Sequence, residues 1–154
     1  MSQKRLLVLG VGNPLAGDDG VGIEVVRRLK KEKLPGNVDI VEGYTLSFQL
    51  LNFFEKYDKV IIVDAVISDG KSGRVRKIDL KDTNKSDFSV LTSHEFDIFR
   101  VLKILSLFKK TPEVVVIGIE VEKLDGLGLS SPVENSVNEA VKKIMEEIRH
   151  SLKR

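Results

Sequence analysis

Three stretches of this chain are apolar at nearly every position: Arg5–Gly10 (RLLVLG), Lys59–Asp64 (KVIIVD) and Glu113–Val121 (EVVVIGIEV). A strand with one wet face alternates apolar and polar residues, whereas a strand buried on both faces does not. The sheet built from these runs must therefore be covered on both sides, which favours parallel strands joined by helical crossovers. The intervening segments fit. Val21, Val25, Val26 and Leu29 share one face of a helix expected from about Gly20 to Glu32. Leu46, Leu50, Phe53, Phe54 and Tyr57 do the same for a helix over about Ser47–Tyr57, and Ile98, Val101, Leu102, Leu105 and Phe108 for one over about Ser93–Phe108.

Pro35-Gly36 is a turn, and Val38–Glu42 follows it as a further strand. Arg74–Leu80 alternates and comes too soon after the Lys59–Asp64 run for a helical crossover, so it is expected to run antiparallel. Ser131-Pro132-Val133-Glu134 reads as an N-cap serine, a first-turn proline and the glutamate of a capping box. The helix it opens buries Val133, Val137, Ala140, Val141, Ile144, Ile148 and Leu152. The expected fold is α/β: a three-layer αβα sandwich around a mostly parallel, mixed five-stranded sheet, with residues 1–154 as a single domain.

Composition narrows the function. Lys+Arg 25 against Asp+Glu 23 gives a formal charge of +2, too little to suggest nucleic acid or an acidic membrane as partner. With Cys 0, disulfides, thiolate metal sites and a cysteine nucleophile are excluded, and a cytoplasmic setting is expected. Leu6–Val11 is too short and strand-like for a signal peptide, and no segment reaches the length of a transmembrane helix.

In such folds ligands bind beyond the carboxyl ends of the parallel strands. The residues expected there are Asn13, Asp18 and Asp19 after the first strand, Glu42, Gly43, Tyr44 and Thr45 after the second, Asp64 ending the third, and Glu120, Glu122 and Asp125 near the last. His94 follows the antiparallel strand and its loop. The first loop, Gly10–Gly22 (GVGNPLAGDDGVG), starts like a phosphate-binding turn. However, Leu15 occupies the third glycine position of a dinucleotide fingerprint, and Gly17 is followed by Asp18 and Asp19 rather than by Lys and Ser or Thr. Two carboxylates at a helix N-terminus take the place of an anion and repel phosphate.

The loop suits a cation instead. Asp19, Asp64 and His94 offer two carboxylates and an imidazole, a donor set that suits zinc, nickel, copper or iron and leaves positions open for substrate. A first-turn position on the helix begun by Thr92-Ser93-His94-Glu95 favours neutral imidazole, as a ligand or a general base requires. Each residue also has an ordinary reading. Asp18 or Asp19 is expected to cap the first helix, Asp64 could shape a turn, and His94 could sit on a helix surface.

Taken together, GVGNPLAGDDGVG, EGYT, IIVDAV, the Ser-His of TSHEFD, and GLGLSSPV resemble the hydrogenase maturation proteases, in order and over nearly the whole chain. The resemblance implies an αβα fold and an endopeptidase that removes a C-terminal peptide from the large-subunit precursor of a nickel–iron hydrogenase once nickel is in place. It implies that Asp19, Asp64 and His94 form a nickel-binding cluster, the nickel arriving with the precursor. Asp18, Asp19 or Glu42 would serve as base if nickel only positions the peptide. Asp19 stands where some relatives have glutamate, Tyr44 lies within a Gly-Gly-Thr pattern, Ser47 stands where glycine is frequent, and Val121 where many have proline. Two other classes share the layout: a non-catalytic chaperone sensing the nickel-loaded precursor, and a receiver-like domain with Asp64 as phosphoacceptor. The receiver reading lacks a Lys-Pro pair after the last strand.

Overall fold

The computed structural model describes residues 3–44, 54–67, 71–79, 107, 111–121 and 124–153. Five strands form one sheet: β1 (Leu6–Val11), β2 (Val38–Tyr44), β3 (Lys59–Ile67), β4 (Val75–Asp79) and β5 (Glu113–Val121). Their spatial order is β2-β1-β3-β5-β4. The first four in that order are parallel, and β4 pairs antiparallel with β5. The mixed, mostly parallel sheet expected from the three apolar runs is therefore present, with the alternating segment at its antiparallel edge.

Two helices, α1 (Val21–Leu29) and α2 (Ser131–Leu152), pack on one face. Their buried stripes meet Leu6, Val8, Ile61, Val63, Ala65, Val115, Ile117 and Ile119, the alternate residues of the three central strands. Phe54 and Tyr57 are buried, and the Tyr57 hydroxyl donates to Asp39 Oδ2 at 2.7 Å. Burial, joined by Asp39, pushes the Tyr57 phenol up to about 12. Of the helix expected over 47–57, the described part is a 3-10 turn, Phe54–Lys56. Except for Leu107, the helix expected over 93–108 lies outside the described residues.

One strand boundary differs in a way that matters for the site. β3 does not end at Asp64 but runs on to Ile67, held by a β5 that continues to Val121. The first helix opens at Val21, close to the expected start, and a 3-10 turn over Gly17–Gly20 leads into it.

Charges sit at both ends of the strands. At the amino end of β3, Lys59 is 2% exposed and points into the helical layer. Its Nζ lies 2.5 Å from Glu147 Oε1, 2.7 Å from Ser151 Oγ and 3.8 Å from Glu113 Oε1. Lys77 reaches the other Glu147 oxygen at 2.7 Å. Burial pushes the Glu147 carboxyl up, but Lys59 and Lys77 more than offset this and hold it below the usual range. At the other end, Glu42 at the close of β2 accepts from Lys30 Nζ at 2.7 Å and Arg27 Nε at 2.8 Å, both beyond or within the last turns of α1. These bonds, Lys30 first, push Glu42 down to about 2.

Two outcomes are expected. Glu147→Ala strands a buried ammonium and should destabilise the fold by about 3–5 kcal/mol in urea unfolding, whereas Lys59→Met with Glu147→Leu should cost far less. A folded-state pKa lowered to about 2 means that Glu42 contributes stability above the unfolded carboxyl range and loses it as pH falls towards 2. The stability gap between the wild type and Glu42→Gln should therefore be widest near neutrality and close on acidification through that window.

Candidate functional site

The site grows from the way β1 leaves the sheet. β1 pairs with β3 only as far as Gly10 opposite Val63, while β3 and β5 continue side by side. Asp64 is thus the first β3 residue beyond the β1 ladder. It is 2% exposed and projects from the face opposite to Val63 and Ala65, which pack against the helices. Across the β5 ladder it faces Gly118, which has no side chain. Its Oδ1 accepts the Ala65 amide at 2.8 Å. Asp64 therefore lies within a strand rather than in a turn.

The segment leaving β1 forms a tight acidic loop. Asn13 Oδ1 accepts the Leu15 amide at 2.9 Å, and its carbonyl accepts the Ala16 amide at 3.0 Å, making an Asx-stabilised turn through Pro14. The 3-10 turn follows, packed against β3. Gly12 has φ +138, and a Cβ there would lie 2.0 Å from the Asp19 carbonyl oxygen, so the loop folds directly onto that glycine. Asp19 is 6% exposed, and its Oδ2 accepts the Asn13 amide at 2.9 Å. The loop thereby closes around its own carboxylate.

Asp18 points the other way. It is 1% exposed and accepts the Ser130 amide at 2.7 Å and the Ser130 hydroxyl at 2.8 Å. Neither aspartate caps α1, whose N-cap is Gly20 without a side-chain bond. The N-cap of α2 is Ser130, one residue before the expected serine, and it too makes no side-chain cap bond. Its hydroxyl goes to Asp18 instead. Glu134 completes no capping box: its carboxylate lies 3.3 Å from Arg28 on α1. The Ser130 hydroxyl donates to an ionised acceptor on a distant loop, a charge-assisted bond, and its oxygen accepts from no first-turn amide of α2. Ser130 was therefore hidden in the sequence; the doubled serine before Pro132 was the only sign that two caps were possible.

Glu42 and Tyr44 form the neighbouring rim. Gly43 bulges the β1–β2 register, and the Tyr44 carbonyl accepts the Gly12 amide at 2.9 Å. Tyr44 is left-handed at φ 56, alone among described non-glycine residues. Glycine enters this region freely, whereas a side chain there costs about 1 kcal/mol or more. The Tyr44 hydroxyl donates to Glu42 Oε1 at 3.1 Å and accepts from Arg27 Nη2 at 3.3 Å. Glu42 is thus held ionised, with both oxygens engaged by cations.

Glu120, 2% exposed, lies within β5 two residues beyond Gly118 and pairs with Arg76 of β4 at 3.7 Å. Asp125 is exposed on the loop before α2, and His150 is exposed late in α2. His94 and Glu122 lie outside the described residues, and among the described residues no group of three His, Cys, Asp or Glu side chains could hold a metal ion. The fold thus brings the buried carboxylates of Asp19 and Asp64 to one end of the sheet, and turns Asp18 and Glu42 towards other partners. Leu15 and Leu127, 76% and 86% exposed, add apolar side chains to the loops at this end. No helix among the described residues is long and apolar enough to cross a membrane.

Known proteins resemble this chain in sequence and fold. The family model for hydrogenase maturation proteases matches residues 23–147. The hydrogenase 2 maturation protease of Escherichia coli is 31% identical over 96% of this chain and 92% of its own. The structure of the hydrogenase maturating endopeptidase HybD from E. coli superposes with a TM-score of 0.81 at 27% identity, covering 96% of this chain and 93% of that one. The [NiFe] hydrogenase maturation protease HybD from Thermococcus kodakarensis gives a TM-score of 0.78 at 28% identity, over 94% and 99%. The family model begins at Ile23, but the alignments with whole relatives span nearly the full chain. On the family match and the full-length similarity together, this chain belongs to the hydrogenase maturation protease family.

Proposed function

We propose that this protein is the endopeptidase that removes the C-terminal extension of a nickel–iron hydrogenase large-subunit precursor after nickel has been inserted. Family membership supplies the reaction class. The observation that carries the reading to particular residues is the pair of nearly buried carboxylates, Asp19 and Asp64, where β1 departs from the sheet. Buried carboxylates are costly unless paired, hydrogen-bonded or set against a cation. Both accept a backbone amide here, which orients each carboxylate.

Nickel in this reading is part of the substrate. It arrives in the precursor, and Asp19, Asp64 and His94 complete its coordination. An empty precursor offers these carboxylates no cation, so nickel acts as the checkpoint for cleavage. Bound nickel would supply Lewis acidity at the scissile carbonyl or hold the peptide in place. Where a carboxylate must take a proton from water, the role falls to Asp19. Asp18 spends both oxygens on Ser130 and Glu42 spends both on cations, so neither is placed to serve.

The test is to incubate the protein with nickel-loaded and nickel-free precursor and weigh the products by mass spectrometry. Truncation is expected only with nickel. Asp19→Asn, Asp64→Asn and His94→Ala should each slow it by about a hundredfold or more. Cleavage independent of nickel would sink the checkpoint, and tight binding without truncation would identify a nickel-sensing chaperone instead.

A further inference from the structure

Three consecutive residues of the acidic loop are tied to three different places. The Gly17 amide donates to the Gly126 carbonyl at 2.8 Å. Asp18 takes both donors of Ser130, and Asp19 takes the Asn13 amide. Gly17 has φ +58, and a Cβ there would lie 2.3 Å from the Asp125 carbonyl oxygen, so the two loops touch backbone to backbone. The loop after β1 and the loop before α2 are more than a hundred residues apart in sequence, yet they are latched together at two points.

The Asp18 point is the stronger. A buried carboxylate receiving an amide and a hydroxyl from one residue makes two charge-assisted bonds with little freedom between them. It also lies at the N-terminus of a 22-residue helix, where the helix dipole favours negative charge. α2 is itself anchored in the core by Val133, Val137, Ala140 and Ile144. Asp18 thereby connects a short 3-10 turn, which has few internal hydrogen bonds of its own, to a rigid element.

We infer that Asp18 is a positioning residue that fixes the Asp19 carboxylate by latching the acidic loop to Ser130 at the start of α2. The inference rests on the proposed role of Asp19 in engaging the substrate, but its structural half is testable without cleavage. Asp18 and Asp19 are adjacent in one 3-10 turn, so a loop released at Asp18 keeps only the Gly17 tie to the loop before α2, and the bond from the Asn13 amide to Asp19 loosens with it. Misplacing a reacting or ligating group by about 1 Å is enough to lose about a hundredfold in rate.

The experiment uses the full-length protein and the variants Asp18→Asn, Ser130→Ala, Ser130→Thr and Glu134→Gln. Residue-resolved amide hydrogen exchange reads the Asn13 amide, which reports the Asp19 carboxylate directly. Exchange at Asn13 should quicken about tenfold or more in Asp18→Asn, less in Ser130→Ala, and hardly at all in Ser130→Thr, which keeps the hydroxyl. Glu134→Gln, which alters the same helix start without touching the latch, should leave Asn13 unchanged. With nickel-loaded precursor, kcat should fall about ten- to a hundredfold in Asp18→Asn at similar KM, with Ser130→Thr close to wild type.

Faster exchange confined to Ser130–Glu134, with Asn13 still protected, would overturn the inference and leave Asp18 as a cap for α2 alone. Should Asp18→Asn fail to fold, the contrast between Ser130→Ala and Ser130→Thr at Asn13 decides the matter. A wild-type protein that cuts no precursor would defeat the proposed function, while the exchange measurement would still judge the latch.

Discussion

The site depends on unequal strand lengths in a parallel sheet. β1 stops pairing with β3 at Gly10, while β3 and β5 remain zipped together for the rest of their length. Had β1 continued, Asp64 would lie in the middle of a ladder with strands on both sides, walled in by their side chains. Because β1 turns away, the carboxylate stays anchored in a rigid strand yet borders the loop that β1 becomes. Buried polar groups survive in a core only with partners. Here the same departure of the chain that frees Asp64 from a β1 neighbour also brings in the acidic loop with Asp19.

That loop reverses the usual use of its position. A glycine-rich turn between a first strand and a helix commonly points amides at an anion. Here amides of the loop and of its surroundings are turned onto the protein's own carboxylates: the Asn13 amide onto Asp19 and the Ser130 amide onto Asp18. Hydrogen bonds from Asn13 and from Ser130 thus hold two carboxylates in fixed places at this turn.

Much of this was legible in the amino acids. The three apolar runs announced a sheet covered on both faces, and the alternation of Arg74–Leu80 announced its antiparallel edge. Asp19 and Asp64 stood out because each follows or closes an apolar run. The exact strand end was not legible, since Ala65 and Val66 fit a strand or the start of a loop equally well, and pairing with Ile119 and Glu120 decides the matter. The partners of Asp18 and Glu42 were also hidden. A carboxylate next to a helix start looks like a cap in sequence, and only folding reveals that Ser130 or Arg27 is nearer than the local amides. His94 lies outside the described residues, so its part in the site stands on the sequence and the proposal alone.

The charged cluster of Lys59, Glu147 and Lys77 sits at the foot of the sheet, at the opposite ends of the strands from Asp64. This gives the molecule a division of labour along a single strand: β3 begins in a residue that serves cohesion and approaches its end through one suited to chemistry. Evolution can then work on the two ends with some independence. Substitutions at the foot then bear on robustness and substitutions in the loops at the top bear on the site, with little coupling between them.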